Sequence, residues 1–342
     1  MQFMPTVGKA DMVVDLQFGS TGKGLIAGYL AMQQEYDVVI SANMPNAGHT
    51  YIGTNGDKYI HHCLPNGLVS PRIKHVMVGP GSVYRVGQLM REYEWAQEMG
   101  HRFILNIHED SVPLTDEMVT REYENMGDEN RIGSTRQGSA EAMVAKVRRL
   151  PGITAKTMLQ GTIFERFLTT SAEWMAILRN ATRVLLEASQ GYSLGLNSGF
   201  YPYCTSRDTS PSRFLSDMAV PVKMLRKVIG TARCHPIRVG GTSGPCYPDQ
   251  KELTWAELGQ EPELTTTTQR IRRVFSFSKI QIAEAAFYCC PDEIFLNFCN
   301  YDPSLASRIE DSLDTDHYVR YTGWGPTVDD VKDRLNQEDD AA

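Results

Sequence analysis

The chain has 342 residues, 42% hydrophobic and 22% charged, enough to bury a sizeable core in one large domain or two ordinary ones. Thirty-four lysines and arginines against 41 acidic residues leave a net charge of −7 with no basic tract, which argues against a partner that is nucleic acid or an anionic membrane surface. No apolar run approaches the roughly 18 residues of a membrane span, and no basic segment with a long apolar run opens the chain, so neither a membrane segment nor a secretory leader is expected.

In chain order, residues 11–18 read as a buried strand, 19–24 as a glycine-rich turn and 23–34 as a helix. Strands follow over 36–42 and 75–79, a helix over 86–99, and strands over 102–107, 183–188, 227–232 and 293–298. Strands separated by helices predict an α/β protein, with a largely parallel central sheet, covering helices and long functional loops. No period of 20–50 residues recurs and no linker divides the chain, so one elaborated domain over 1–342 is expected. Glycine and proline cluster in the connections 43–56, 127–139, 190–211 and 239–250, and connections this long usually carry function. Seven cysteines without a CxxC spacing read as reduced thiols of a cytoplasmic protein.

Residues 19–24 read GSTGKG, directly after the first strand and opening a helix. Glycines let backbone N–H groups approach an anion, the helix N-terminus adds partial positive charge, and Lys23 adds a full one. The segment is not a Walker A loop, because Gln17 and Gly24 stand where that pattern needs glycine and a hydroxyl residue. Alone, it would serve equally well as a strand-to-helix turn with a solvated lysine. The second strand, however, leads into Asn46-Ala47-Gly48-His49-Thr50, and in a parallel sheet both turns open on one crevice. A histidine beside bound phosphate is a natural proton donor to a transferring phosphoryl group.

At these residues the chain resembles the adenylosuccinate synthetases. DLQFGSTGKG at 15–24 is similar to the family's opening motif and NAGHT at 46–50 to its next; IGSTRQG at 132–138 looks like a substrate loop. EASQGYSLGLNSGFYPYCTS at 187–206 and TTQRIRR at 267–273 complete five motifs in order, spanning nearly the whole chain. The resemblance implies a two-step reaction. The O6 of a purine 5′-monophosphate takes the γ-phosphate of a nucleoside triphosphate, and the amine of L-aspartate then displaces phosphate. It also implies a homodimer in which Arg149, or Arg148 beside it, reaches the partner's site.

Two departures redirect the substrates. The family's phosphate loop carries an aspartate that takes the N1 proton of a 6-oxopurine; here the position is Ser20, shorter and a far weaker base. Guanine carries an exocyclic amine beside N1 that would crowd a carboxylate, and serine makes room for it. The family reads a guanine donor with [NT]KxD, whereas here Asn297-Phe298-Cys299-Asn300 offers stacking and an amide that cannot accept both guanine protons. Asp302 would restore a guanine contact if the register were two residues out. With a chain shorter than typical members, these changes are similar to the bacteriophage branch that makes the precursor of 2-aminoadenine. That likeness implies dGMP or GMP, ATP or dATP, L-aspartate and Mg²⁺ as reactants, in the host cytoplasm. An ordinary synthetase acting on IMP and GTP, or a non-catalytic nucleotide sensor, remain the alternatives.

By position, the resemblance makes Ser20, Lys23, His49 and Gln190 the catalytic set. It gives the triphosphate to Ser20, Thr21, Gly22, Lys23, Gly24, Gly48, His49, Thr50, Arg272, Asn297, Phe298, Asn300, Gly323 and Pro326. It gives dGMP to Ser20, Asn46, Ser134, Thr135, Arg149, Gln190, Thr205 and Arg270. L-aspartate falls to Thr266, Thr267, Thr268, Arg270 and Arg272, and Mg²⁺ to Ser20 and the Gly48 carbonyl. Adjacent His61 and His62 point opposite ways on a strand and are not expected to share a metal; His235, near the 238–241 segment, is expected to be structural.

Overall fold

The computed structural model of the chain describes residues 7–126, 132–265, 269–313 and 318–339. Ten strands form one sheet: β1 (Ala10–Asp15), β2 (Val38–Ser41), β3 (His75–Val78), β4 (Ile104–His108), β5 (Leu168–Thr169), β6 (Val184–Glu187), β7 (Leu225–Arg233), β8 (Glu293–Asn297), β9 (Val319–Gly323) and β10 (Val331–Asp333). Their order across the sheet is β10-β9-β8-β7-β1-β6-β2-β3-β4-β5. Every neighbouring pair is parallel except β9 with β10. The fold is therefore the α/β architecture expected from the alternation of strands and helices.

The central strands read as nearly continuous apolar runs because both faces of the sheet are covered. All six residues of β1 are buried, and alternate side chains go to opposite sides. Met12 and Val14 join one core cluster with Leu186 and Leu296, while Val13 joins the other with Leu185 and Phe295. The first helix, α1 (Lys23–Gln33), returns over the second cluster with Leu25, Ile26 and Leu30 buried in it. Phe275 lies in the core as well, its side chain fully buried.

The predicted strands agree with the observed ones to within three residues at either end. The first stops at Asp15 rather than residue 18, because the Asp15 carboxylate accepts the N–H groups of Gln17 and Gly19 and bends the chain out of the ladder. The edge strands β5 and β10, the strand β9 beside β10 and the hairpin His49–Ile52/Lys58–His61 were not legible in the sequence. They are short or polar on one side, so neither periodicity nor apolar runs mark them. Parallel pairing puts the ends of β1, β2, β6, β7 and β8 along one crest, with β1 between β6 and β7. All seven cysteines are free, and no helix among the described residues is long and apolar enough to cross a membrane.

Candidate active site

Above that crest lies a cavity of about 910 Å³ walled by the turns that follow the central strands. The turn after β1 is organised by Asp15, whose side chain is almost wholly buried. Its Oδ1 accepts the Gln17 and Gly19 N–H groups at 2.8 and 3.2 Å. Its Oδ2 accepts the Thr21 hydroxyl at 2.5 Å and the Lys23 ammonium at 3.0 Å. Lys23 also donates to the Gln190 carbonyl at 2.8 Å. An ammonium has three donors, so one is left for the cavity that Lys23 lines. Ser20 and Gln190 both sit in the left-handed region, at φ of 59° and 64°, and both border the cavity. Such backbone costs about 1 kcal/mol or more per residue and persists only where its surroundings hold it.

His49 opens the first strand of the hairpin, and its Nδ1 lies 2.6 Å from Glu187 Oε1 at the end of β6. The other Glu187 oxygen accepts the Asn66 N–H at 2.6 Å, so the carboxylate is fixed from both sides. A carboxylate there accepts a hydrogen bond from Nδ1–H, which leaves Nε2 as the working nitrogen. His49 lines the cavity next to Gly48 and Asn46, whose Oδ1 is buried without a protein partner.

On the far wall, Phe298 leaves β8 at φ 58° and packs edge-on to Tyr301, ring centroids 5.3 Å apart. Glu263, Arg272 and Arg238 also line the cavity. Burial pushes the Glu263 carboxyl up, but the Arg233 guanidinium, the Arg272 charge and the Tyr301 hydroxyl together hold it below the usual range. Burial pushes Arg272 down to about 10, and burial with the nearby Arg273 charge does the same to Arg238. Arg238 lies 4.5 Å above the Phe18 ring and donates to the Tyr203 carbonyl at 3.1 Å.

The structure brings most of the expected residues to this one cavity. From the phosphate turn come Ser20, Gly22, Lys23 and Gly24, and from the next loop Asn46, Gly48, His49 and Thr50. Ser134, Thr135, Gln190 and Thr205 wall one side, and Arg272, Asn297, Phe298, Asn300 and Pro326 the other. Thr21 is placed differently from expectation, because its hydroxyl is fully buried between Asp15 and Thr231. Gly323 lies under Asn297, where a Cβ would come within 2.1 Å of the amide oxygen. The Asn297 amide itself is spent on the backbone of Thr21 and Phe298, so it pins the turn. Arg270 is exposed outside the cavity wall, and Arg149 is exposed just beyond the helix Ser139–Val147. Thr266, Thr267 and Thr268 lie outside the described residues. His61 is buried and the ring of His62 turns to the Ala47 carbonyl at 2.7 Å, so the two diverge as expected. His235 is buried away from the cavity wall.

Sequence reasoning missed Asp15, Glu187, Arg233 and Glu263 as parts of the site. Asp15 and Glu187 carried a signal: each is a buried carboxylate at the cavity-crest end of a strand, where burial demands a partner. Arg233 and Glu263 meet only in three dimensions.

The family model described as adenylosuccinate synthetase matches residues 12–181 and 169–301. The N6-succino-2-amino-2′-deoxyadenylate synthase of Vibrio phage phiVC8 is 53% identical over 335 residues, covering 94% of this chain and 97% of that protein. Cyanophage S-2L succinoaminodeoxyadenylate synthetase, solved bound to dGMP and dATP as an energy donor, superposes with a TM-score of 0.89 at 36% identity, over 97% of this chain and 98% of that one. Adenylosuccinate synthetase from Plasmodium falciparum gives a TM-score of 0.78 at 19% identity, over 96% of this chain and all of that one, a likeness of fold.

Proposed function

The chain belongs to the adenylosuccinate synthetase family, and on that premise we infer that it joins L-aspartate to C6 of dGMP with an adenine nucleoside triphosphate, giving N6-succino-2-amino-2′-deoxyadenylate. The observation that carries the guanine choice is Ser20, an exposed hydroxyl on the cavity wall in the turn that otherwise carries a carboxylate in this family. The phage relatives support the same substrate, and the dATP of the cyanophage structure supports dATP beside ATP as donor.

The chemistry divides between the two walls. The γ-phosphate passes to the guanine O6 while the free N–H of Lys23, the glycine-rich backbone and the N-terminus of α1 stabilise the phosphates. His49, fixed through Nδ1 by Glu187, donates from Nε2 to the transferring group. Ser20 and Asn46 orient the base, Ser20 accepting from the exocyclic amine, and a phosphate oxygen or water takes the N1 proton. The aspartate amine then displaces phosphate from C6, its carboxylates met by Arg272 and by the hydroxyls at 265–268. Gln190 helps hold the purine, together with Ser134, Thr135 and Thr205.

For Mg²⁺ the wall supplies oxygen only: the Ser20 hydroxyl and the Gly48 carbonyl. No group of three His, Cys, Asp or Glu that could hold a metal exists among the described residues, and Asp15 is already saturated by four donors. That donor set fits an ion carried in on the triphosphate, since Mg²⁺ favours phosphate oxygens and retained water. Bound there it would neutralise charge on the transferring phosphoryl group. We place the reaction in the cytoplasm of the host cell, where the nucleotides are found.

The test is mass analysis of products from purified protein with ATP, Mg²⁺, L-aspartate and equal dGMP and IMP. Succinylated dGMP is the expected product. Succinylated IMP alone would make this an ordinary synthetase. No succinylated product with ATP, dATP or GTP would overturn catalysis itself.

A further inference from the structure

Arg233 ends β7, and its side chain is completely buried. A buried guanidinium is tolerable only when its charge is paired. Arg233 meets that condition through its two terminal nitrogens, its Nε being buried without a protein partner. It donates to both oxygens of Glu263, at 2.5 and 3.2 Å, and to the Ser20 carbonyl at 3.3 Å. Its carbon lies 3.7 Å from the centroid of the Phe298 ring, a face-on stack. One residue therefore touches the phosphate turn, the aromatic wall of the cavity and the segment leading to Arg272.

The links continue on either side. Glu263 accepts the Tyr301 hydroxyl at 3.1 Å, and its backbone carbonyl accepts the Arg272 N–H at 2.9 Å. Phe298 borders the cavity while its ring also packs on Arg233. Glu263 cannot leave Arg233 without stranding a buried charge, so displacement at one end is resisted at the other.

We propose that Arg233 is a positioning residue that ties the donor-nucleotide wall at Phe298 to the aspartate-binding Arg272, so that filling the first tightens the second. This rests on the donor and aspartate roles proposed above. A lysine at 233 keeps the charge but has neither the fork for Glu263 nor the plane for Phe298. Tyr301→Phe removes a single hydrogen bond at the rim and serves as the milder variant.

The test is calorimetric binding of L-aspartate to the protein saturated with dGMP and Mg²⁺, with and without a non-hydrolysable ATP analogue. For the native chain the analogue is expected to tighten aspartate by about fivefold or more, within the usual range of coupling between sites. In Arg233→Lys the coupling should fall below about twofold, with an intermediate value in Tyr301→Phe, while dGMP still binds each variant. A merely structural role would lower melting temperature and leave the coupling factor alone. Equal coupling in the native chain and in a folded Tyr301→Phe and Arg233→Lys overturns the proposal, as does an absence of coupling in the native chain. Failure of the native chain to bind the analogue overturns it too, and takes the donor assignment with it.

Discussion

At the scale of single residues, the contrast between Ser20 and Asp15 decides how the phosphate turn works. Asp15 ends β1 beneath the turn, buried and spending both oxygens on the backbone, Thr21 and Lys23, while Ser20 within the turn is exposed to the cavity. With its two oxygens already accepting four donors, Asp15 serves as a structural anchor and offers nothing to a bound base. On the proposed function, selection of the base is assigned to Ser20. Ser20→Asp should raise the ratio of IMP to dGMP in kcat/KM by tenfold or more, a range that pocket contacts can supply. Competition assays with both nucleotides read that ratio directly. An unchanged ratio removes Ser20 as the selector.

At the scale of elements, the turn between β1 and α1 holds its shape by close backbone approach. Gly22 caps α1 at φ 96°, and a Cβ on it would stand 2.1 Å from the Asn297 amide nitrogen and 3.3 Å from the Phe295 ring. Two penalties coincide: the conformation disfavours any L side chain, and the neighbour filling the space is the amide that pins the Thr21 carbonyl. Gly22→Ala should cost on the order of 1–3 kcal/mol of local strain. Triphosphate-dependent turnover should drop by at least about tenfold, since small misplacement of reacting groups is that costly. Steady-state kinetics beside a thermal melt check this. A variant with native turnover would mean that the turn does not cradle the triphosphate.

At the scale of the whole molecule, we propose that Arg149 serves the site of a second copy. It is exposed, lies off the cavity wall, and follows a helix whose Val144 and Val147 are exposed, with Leu150 exposed beside it. Exposed apolar side chains beside this cation suit an isologous contact better than solvent. The homodimer proposal predicts that Arg149→Ala and Lys23→Ala, each nearly inactive, regain activity when mixed and allowed to exchange subunits. The mixed dimer would unite one intact Lys23 site with one intact Arg149. Activity in the mixture no higher than in either variant alone would rule out that contribution.

The sequence by itself determined the sheet and the principal turns of this protein. Continuous apolar strands such as β1 and β6 can only be buried on both faces, and residues 19–24 and 46–50 must then open on one crest because parallel strands end on the same side. It also exposed Ser20 and Phe298 as departures, since those depend on chemical type at a motif position. What only the tertiary structure decided is who partners whom across large sequence separations: Glu187 with His49, Lys23 with the Gln190 carbonyl, and Arg233 with the Ser20 carbonyl. The same holds for Thr21 and Asn297, which belong to the right motifs yet turn their polar atoms inward. Motif position fixes a residue's neighbourhood along the chain. The direction of its side chain is settled by which buried donors and acceptors must be satisfied, and those come from strands hundreds of residues away.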